Sequence, residues 1–232
     1  AFQSSIRFFI LTNIRNQTSL SMSTPFTGDN LACIRGGRLV FKGLSFALSP
    51  GDALLLTGAN GSGKTSLLRL MAGLAMPIEG VIRANGVDVR DDLITYRANL
   101  HYIAHYDAVK PALTVCENLS FWTSLNNGGD VDAGLLAFDL SRLSEVPVRF
   151  LSAGQKRRLA MARLVAIKTG IWLLDEPSIA LDTASLDALQ THIVDHRSRG
   201  GIVVASTHRE LQFEDAVTLD VSEYSTRQPV LE

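Results

Sequence analysis

Residues 58–65 read Gly-Ala-Asn-Gly-Ser-Gly-Lys-Thr and match the pattern GxxxxGK[ST]. Glycines let such a loop curl around a phosphate, so that backbone N–H groups at a helix N-terminus face its negative charge. Lys64 then contacts the β- and γ-phosphates, and the Thr65 hydroxyl binds Mg²⁺. The run therefore predicts a site for ATP and Mg²⁺. The predicted nucleotide-binding residues are Gly58, Ala59, Asn60, Gly61, Ser62, Gly63, Lys64, Thr65 and Ser66.

A pair of carboxylates, Asp175 and Glu176, directly follows the apolar run at residues 171–174. Ligands of open α/β sheets bind at the carboxyl ends of the strands, where this pair would lie. We expect Asp175 to bind Mg²⁺, directly or through water, and Glu176 to act as the general base on the attacking water. The alternative is two solvated carboxylates at a strand end. The turn imposed by Pro177 and the spacing from Lys64 favour the catalytic interpretation.

The elements around the glycine-rich loop can be predicted from local pattern. Residues 53–57 form a continuous apolar run, typical of a parallel strand covered on both faces. A helix is expected over residues 65–72 and should end at Gly73. Residues 31–49 contain strand-like runs broken by Gly36-Gly37 and Gly43, and Asn85-Gly86 predicts a type I′ hairpin.

The second half of the chain alternates predicted helices and buried strands. Residues 100–104 indicate a strand, and residues 114–146 are mainly helical in pattern. Ser152 can cap a helix running to Ile167, because its side chain can accept a hydrogen bond from the free N–H groups there. Two further buried strands are expected at residues 171–174 and 201–205.

Composition narrows the class of protein. The 232 residues are 46% hydrophobic and 19% charged, which suits one globular domain with a small subdomain. The net charge of −1 provides no field that would attract nucleic acid. No run approaches the roughly 18–20 apolar residues that span a bilayer, so transport would need a membrane partner. Two cysteines, Cys33 and Cys116, suggest a reducing compartment rather than a disulfide framework.

Residues 1–28 differ in composition from the rest of the chain. They contain no Asp or Glu, two Arg, and many Ser and Thr, which is typical of an organelle transit peptide. A disordered or non-native extension is the alternative, because Met22 would make a natural start just before the first strand.

Three further motifs complete a pattern. Residues 151–155 read Leu-Ser-Ala-Gly-Gln, residues 178–182 read Ser-Ile-Ala-Leu-Asp, and His208 follows the strand expected at 201–205. With the glycine-rich loop and the carboxylate pair, these elements in this order resemble ABC-type ATPases, the nucleotide-binding subunits of ABC transporters. The similarity covers about residues 30–220. It implies an α/β fold with a P-loop NTPase core of the ABC type, an antiparallel β subdomain and a helical signature subdomain.

The resemblance also implies how the motifs cooperate. In this family two subunits hold two ATP molecules head to tail, so the signature of each subunit would contact the γ-phosphate bound by the other. The implied signature contacts are Ser152, Ala153, Gly154 and Gln155. The same resemblance assigns Asp182 to the D-loop and makes His208 a catalytic residue that senses the γ-phosphate. By itself His208 would be read as a surface histidine, and only its place after a strand favours that role.

Two positions depart from the common ABC pattern. His105 stands where a Gln usually contacts Mg²⁺ and the attacking water, and an imidazole can still donate or accept a hydrogen bond. Direct contact of His105 with the metal is the open question. Arg35 falls where an aromatic residue usually stacks on adenine. A guanidinium can stack on a base, but an exposed arginine without that contact is the alternative.

The chain most resembles one group, the ATP-binding subunits of the cytochrome c maturation system, often called the haem exporter. Residues 146–158, with Ala153 in place of the usual Gly, residues 117–122 and His105 all fit that group. The resemblance implies integral membrane subunits, a homodimer of ATPase subunits and an indirect link to a haem chaperone. It places the chain at the cytoplasmic face of the bacterial inner membrane or, alternatively, at an organelle inner membrane. Without a CxxCH motif, direct haem ligation by this chain is disfavoured.

Three alternatives and a domain division complete these expectations. The chain could transport another cargo, act as a non-transport ABC ATPase, or serve as a regulatory module without turnover. Against the second stands the lack of sustained heptads, and against the third stands the intact Glu176. We divide the chain into an extension (1–28), an ABC ATPase domain (29–221) with a helical subdomain at about 107–165, and a tail (222–232).

Overall fold

A computed structural model of the chain describes residues 24–126, 128–206 and 215–225. The strands are β1 (Phe26–Arg35), β2 (Arg38–Leu48), β3 (Ala53–Thr57), β4 (Glu79–Ala84), β5 (Val87–Asp88), β6 (Leu100–Ile103), β7 (Ile171–Asp175), β8 (Ile202–Ser206) and β9 (Val217–Asp220). The α-helices are α1 (Lys64–Met71), α2 (Leu93–Ala98), α3 (Val115–Leu125), α4 (Val131–Ala137), α5 (Ala153–Ala166) and α6 (Thr183–Ser198). Short 3₁₀ turns occupy Ser141–Leu143, Val148–Phe150 and Val221–Tyr224.

The central sheet is parallel and has the strand order β6-β7-β8-β3-β9. Every residue of β7 and of β8 is buried, which explains why both strands read as continuous apolar runs in the sequence. Because parallel strands all end at the same edge, the loop after β3 and the carboxylates ending β7 lie on one side of the sheet. The predicted α/β class is confirmed.

A second, antiparallel sheet has the order β2-β1-β4-β5. The turn between β4 and β5 is the predicted one, since Asn85 and Gly86 both have positive φ, 52° and 77°. The predicted break at Gly43 was wrong. Gly43 lies inside β2 with a φ of 77°, and the pairing register with β1 shifts near it, so the strand absorbs an extra residue as a bulge and continues.

The hydrophobic core has two parts, one on each face of the parallel sheet. One part joins α1 to the antiparallel sheet through fully buried residues such as Phe41 and Leu67. The other packs α3, α4 and α5 against β7 through residues such as Leu119 and Trp172. The segment predicted as a helical subdomain, about 107–165, thus contains α3, α4 and nearly all of α5.

The packed domain extends beyond both predicted boundaries. Phe26 pairs with Leu48 and is fully buried, so β1 begins three residues before the predicted start at 29. At the other end, Ser225, in the predicted tail, forms an isolated β-bridge with Phe41. The extension at residues 1–23 and the chain after 225 lie outside the described residues. None of the described helices has the length and apolarity needed to cross a bilayer.

Candidate active site

The glycine-rich loop joins β3 to α1, as predicted, and two of its glycines admit no side chain. Gly58 has a φ of 122°, and a Cβ built on it would lie 2.5 Å from the Ser222 Oγ. Gly63 precedes α1 with a φ of 110°, and a Cβ there would lie 2.6 Å from a Val40 methyl carbon. Gly63 offers no side-chain cap to α1. The first N–H groups of α1 therefore remain available for an anion.

Lys64 is buried at the base of this loop, with 7% of its surface exposed. Its ammonium donates hydrogen bonds to the carbonyl oxygens of Gly58, at 2.7 Å, and Ala59, at 3.2 Å. A buried ammonium is costly unless it has hydrogen-bond acceptors, and the loop carbonyls supply them. The positive charge is thus held in place across the loop.

Asp175 connects the loop to the ends of neighbouring strands and is 2% exposed. Its Oδ1 accepts hydrogen bonds from the Ser206 hydroxyl at 2.7 Å and the Thr65 hydroxyl at 3.2 Å. The Tyr102 hydroxyl lies 3.5 Å from its Oδ2. Burial, together with the neighbouring carboxylate, raises the pKa of Tyr102 to about 12, so that this phenol stays protonated. Thr65 and Asp175, predicted to share a metal, are therefore in direct contact and present hydroxyl and carboxylate oxygens, which suit Mg²⁺.

Glu176 has an unusual backbone conformation, with a φ of 50°. Its N–H donates to the Ser206 carbonyl at 3.0 Å and lies 3.2 Å from the Ser206 hydroxyl oxygen. Its own carbonyl accepts a hydrogen bond from the Arg157 guanidinium at 2.8 Å. The peptide groups on both sides of its Cα are thus held by neighbouring elements.

A single open cleft of about 1020 Å³ brings most of the predicted residues together. The loop from Ala59 to Ser66, both carboxylates, His105 and Arg35 line it. Sequence reasoning missed other residues of the lining: Arg38, Leu39, Val40, Ser222 and Ser225. The Gly36-Gly37 turn could have indicated Arg38, Leu39 and Val40, because a hairpin there brings the next strand back beside Arg35. The two serines carry no local signal, because Ser222 reaches the Ala59 N–H from 163 residues away, at 3.1 Å.

The signature residues lie elsewhere, in a second pocket of about 150 Å³. Ser152 caps α5, and its hydroxyl and the Gln155 side chain each bond the other's backbone N–H, at 3.2 and 2.8 Å. Asp182 caps α6 by accepting the Ser185 N–H at 2.9 Å, and hydrogen bonds from the Ser185 side chain and backbone lower the pKa of Asp182. Gly154 also lines this pocket, and Ala153 is exposed beside it. Of the residues that the structure describes, none that lines this pocket also lines the first cleft.

The remaining histidine and cysteine candidates face the interior or are not described. His101 is 3% exposed, and its Nε2 lies 3.1 Å from the Ile167 carbonyl oxygen. Cys33 is buried in the core beside the antiparallel sheet. His208 lies outside the described residues.

The phosphate-binding loop, the carboxylate pair at the end of β7 and the separate signature pocket define a nucleotide-binding domain of the ABC type. The family model described as "ABC transporter" matches residues 41–179. Two solved structures have the same fold: the ATP-binding subunit of an ABC transporter and a dimeric ATP-binding cassette in a post-hydrolysis state with ADP and Pi. The first has a TM-score of 0.79 at 23% identity and covers 86% of this chain and 87% of its own. The second has a TM-score of 0.75 at 22% identity and covers 85% and 95%.

Curated relatives agree over nearly the whole chain. The cytochrome c biogenesis ATP-binding export protein CcmA of Paramagnetospirillum magneticum is 48% identical, over 87% of this chain and 96% of its own length. The protein of the same name from Rhodospirillum rubrum is also 48% identical, over 86% and 87%. The chain therefore belongs to the ABC transporter family, in the group of these CcmA export ATPases.

Proposed function

We propose that this chain is the ATP-binding and ATP-hydrolysing subunit of an ABC transporter that exports haem for c-type cytochrome biogenesis. The observation that carries the proposal is the cleft, where a phosphate-binding loop, a buried lysine and two carboxylates converge. The names of the relatives, which are ATP-binding export proteins of cytochrome c biogenesis, support the pathway. Haem as the cargo rests on the sequence resemblance to the haem exporter.

Nucleotide binding would use the loop and the residues that support it. The N–H groups at the start of α1 and the Lys64 ammonium bind the β- and γ-phosphates, which replace the loop carbonyls as partners of the ammonium. Thr65 and Asp175 would hold Mg²⁺, which neutralises phosphate charge when bound. Arg35, exposed at the mouth of the cleft, is the proposed contact on the adenine side.

Hydrolysis would use Glu176 as the general base. Its place in the cleft, at the end of β7, suits a carboxylate that accepts a proton as water attacks the γ-phosphate. His105 also lines the cleft, where its imidazole can donate or accept one hydrogen bond to the bound nucleotide or to water. His208 is proposed to sense the γ-phosphate, on the strength of its place in the sequence.

The separation of the two pockets supports a homodimer as the working unit. The signature pocket presents the N-termini of α5 and α6, whose dipoles favour an anion, yet within the described part of the chain it shares no lining residue with the cleft. In a head-to-tail pair, Ser152, Gly154 and Gln155 of one subunit would contact the γ-phosphate in the other. ATP would then close the dimer through contacts that only the closed state makes, and hydrolysis would reopen it.

Integral membrane subunits are the proposed partners, with the chain at the cytoplasmic face of the bacterial inner membrane or at an organelle inner membrane. A third pocket of about 420 Å³ supports a docking site, because mostly apolar residues line it between the core and the helices. They include Leu74, Tyr102, Tyr106 and Trp122. Movement of the membrane subunits would then deliver haem to a chaperone on the other side.

The Glu176→Gln variant tests the enzymatic part of this proposal. An amide cannot accept the proton, so we expect turnover to fall by at least about 100-fold while ATP binding persists and the dimer stays closed. Glu145→Gln, at an exposed position, is the matched control and should turn over ATP normally. Unchanged turnover in Glu176→Gln would remove Glu176 from the role of base.

The cargo is tested with the same variant in cells that express the chain together with its membrane subunits. If the chain drives haem delivery, Glu176→Gln should stop release of the haem-loaded chaperone and formation of c-type cytochromes. Normal c-type cytochrome formation, in a variant shown to lack turnover, would refute haem export and favour a different cargo.

A further inference from the structure

Arg157 forms a buried hydrogen-bond network that the reaction described above leaves unassigned. It lies on α5 two residues after Gln155 and is 3% exposed. One terminal nitrogen donates to the Ala104 carbonyl at 2.9 Å and the Asp107 carboxylate at 3.0 Å. The other donates to the backbone carbonyls of Asp175, at 3.2 Å, and Glu176, at 2.8 Å. One side chain thus joins α5 to the ends of two strands, β6 and β7.

The chemistry of these contacts requires a guanidinium. Its planar fork directs N–H groups from two separate nitrogens along fixed directions, so it can bond two segments at once. An ammonium carries three donors on a single atom and cannot reach the same four acceptors with good geometry. The Asp107 carboxylate, 20% exposed, balances the buried charge.

The backbone of Glu176 needs such support. Its φ of 50° lies in the left-handed region, which costs free energy in any residue other than glycine and persists only when neighbours enforce it. Ser206 holds the N–H side of the residue and Arg157 holds its carbonyl. Because the backbone sets the direction of the Glu176 side chain, losing either contact would let the carboxylate drift from the cleft.

The other end of the network lies between two pockets. His105 lines the nucleotide cleft, whereas Ala104, Tyr106, Asp107 and Ala108 line the third pocket described above. Arg157 bonds the residues on both sides of the His105-Tyr106 pair. Arg157 therefore links this loop directly to the peptide that carries Glu176.

We propose that Arg157 is a positioning residue that holds the Glu176 backbone in its left-handed conformation and ties it to the 104–108 loop. This inference rests on the proposed function, since it takes Glu176 as the base. Because Arg157 does not line the nucleotide cleft, its loss should affect ATP turnover and not ATP binding.

The test compares variants of the full chain, each co-expressed with its membrane subunits, by steady-state ATP hydrolysis. Arg157→Met should lower kcat by roughly 10- to 100-fold, because small misplacements of a catalytic group have effects of that size, and leave KM for ATP within about threefold. Arg157→Lys should recover part of the loss. Arg199→Met removes an exposed arginine that pairs with Asp195 and should keep normal kinetics.

Asp107→Ala keeps the inference testable if Arg157→Met does not fold. It should lower kcat about three- to tenfold, and adding it to Arg157→Lys should cost less than the two single effects combined, because the pair shares one interaction. A kcat within twofold of the parent in folded Arg157→Met, or a loss confined to KM, would overturn the inference. If Glu176→Gln also kept its turnover, the proposed function would fail as well; if Glu176→Gln were inactive, only the inference would.

Discussion

The phosphate-loop cleft and the signature pocket differ in how far apart in the chain their contacting residues lie. In the cleft, Asp175 bonds Thr65 from 110 residues away, and Ser222 bonds Ala59 from 163 residues away. In the signature pocket, the helix caps join residues three apart, such as Ser152 with Gln155 and Asp182 with Ser185, and the longer contact of Arg158 reaches Phe138, 20 residues away. The first site is assembled by the whole fold and the second mainly by two helix N-termini.

The two sites therefore differ in what each can do within a single chain. The cleft positions Lys64, Thr65 and Asp175 through hydrogen bonds within the chain itself, which limits the reorganisation needed to stabilise charge there. The signature pocket is small and open and is formed around the capped N-termini of α5 and α6, whose dipoles suit an anion delivered from outside the chain. Changes in the cleft should therefore alter nucleotide binding by a single chain, whereas changes in the signature pocket should alter only steps that need two.

Among the changes that test this difference, Lys64→Ala should have the largest effect. It removes a buried ammonium directed at the phosphates, so ATP affinity should fall by roughly 100- to 1000-fold in the isolated chain, the usual cost of losing one partner of a buried charge pair. Titration with a fluorescent ATP analogue measures it. Lys42→Ala, an exposed lysine paired with Glu79, is the control and should bind normally. A dissociation constant within threefold of the parent would contradict the assignment of Lys64.

Acid pH should loosen the helices of the signature pocket before the cleft. Burial lowers the pKa of His101, which lies against the C-terminal end of α5, to about 3. His196, on α6, stacks on the Trp172 ring, and burial lowers the pKa of His196 to about 4. The neighbouring charges of Arg163 at His101 and Arg199 at His196 lower the two values further, while Asp195 raises that of His196.

The unfolded chain takes up these protons below about pH 6.5 and the folded chain does not. The stability that the two neutral histidines contribute is therefore fully present above about pH 6.5. The free energy of unfolding should fall by about 2–3 kcal/mol in total by pH 5.5. Urea unfolding at pH 7 and 5.5 measures the loss, and hydrogen exchange locates it. His196→Phe keeps an aromatic ring on Trp172 and should remove its share of the pH dependence. Equal stability at the two pH values would contradict the prediction.

A smaller effect is expected from Gly154→Ala in the signature pocket. The added Cβ would lie 3.0 Å from the Ala180 carbonyl oxygen, so the pocket must widen by a few tenths of an ångström. We expect kcat of the assembled transporter to fall by about tenfold, near 1.4 kcal/mol, with the ATP affinity of the isolated chain unchanged. Ala153→Gly, at an exposed position next to it, should change kcat by less than about threefold, since only helix propensity is affected. Parallel losses of kcat and affinity in Gly154→Ala would contradict the separation of the two sites.

The residues of the cleft that could be predicted are those that carry local patterns. The loop before Thr65, the carboxylates after the β7 run and the helix capped by Ser152 were recognisable because strand, turn and cap each depend on a few neighbouring residues. The bulge at Gly43 was misread as a strand end, because a positive-φ glycine is common to both.

The sequence did not predict that Ser222 and Ser225 line the cleft or that Arg157 supports Glu176 from behind it. Arg157 reads in sequence as one of three adjacent basic residues after the signature, and Ser222 and Ser225 as part of a tail. Only packing places Arg157 against the Glu176 carbonyl and the Ser225 hydroxyl against the Ser62 carbonyl, at 3.0 Å. Such contacts form between segments that no local rule relates.

By itself, the sequence determined the order of strands and helices around the phosphate loop, the family and the chemistry of the central residues, because backbone conformation and phosphate binding depend on short runs of residue types. The tertiary structure decided which residues share a pocket. It placed Asp175 against Thr65, separated the signature from the cleft of its own chain, and linked Glu176 through Arg157 to the 104–108 loop. The physical reason is that buried polar groups must find partners wherever the fold brings them, and those partners lie far away in the chain.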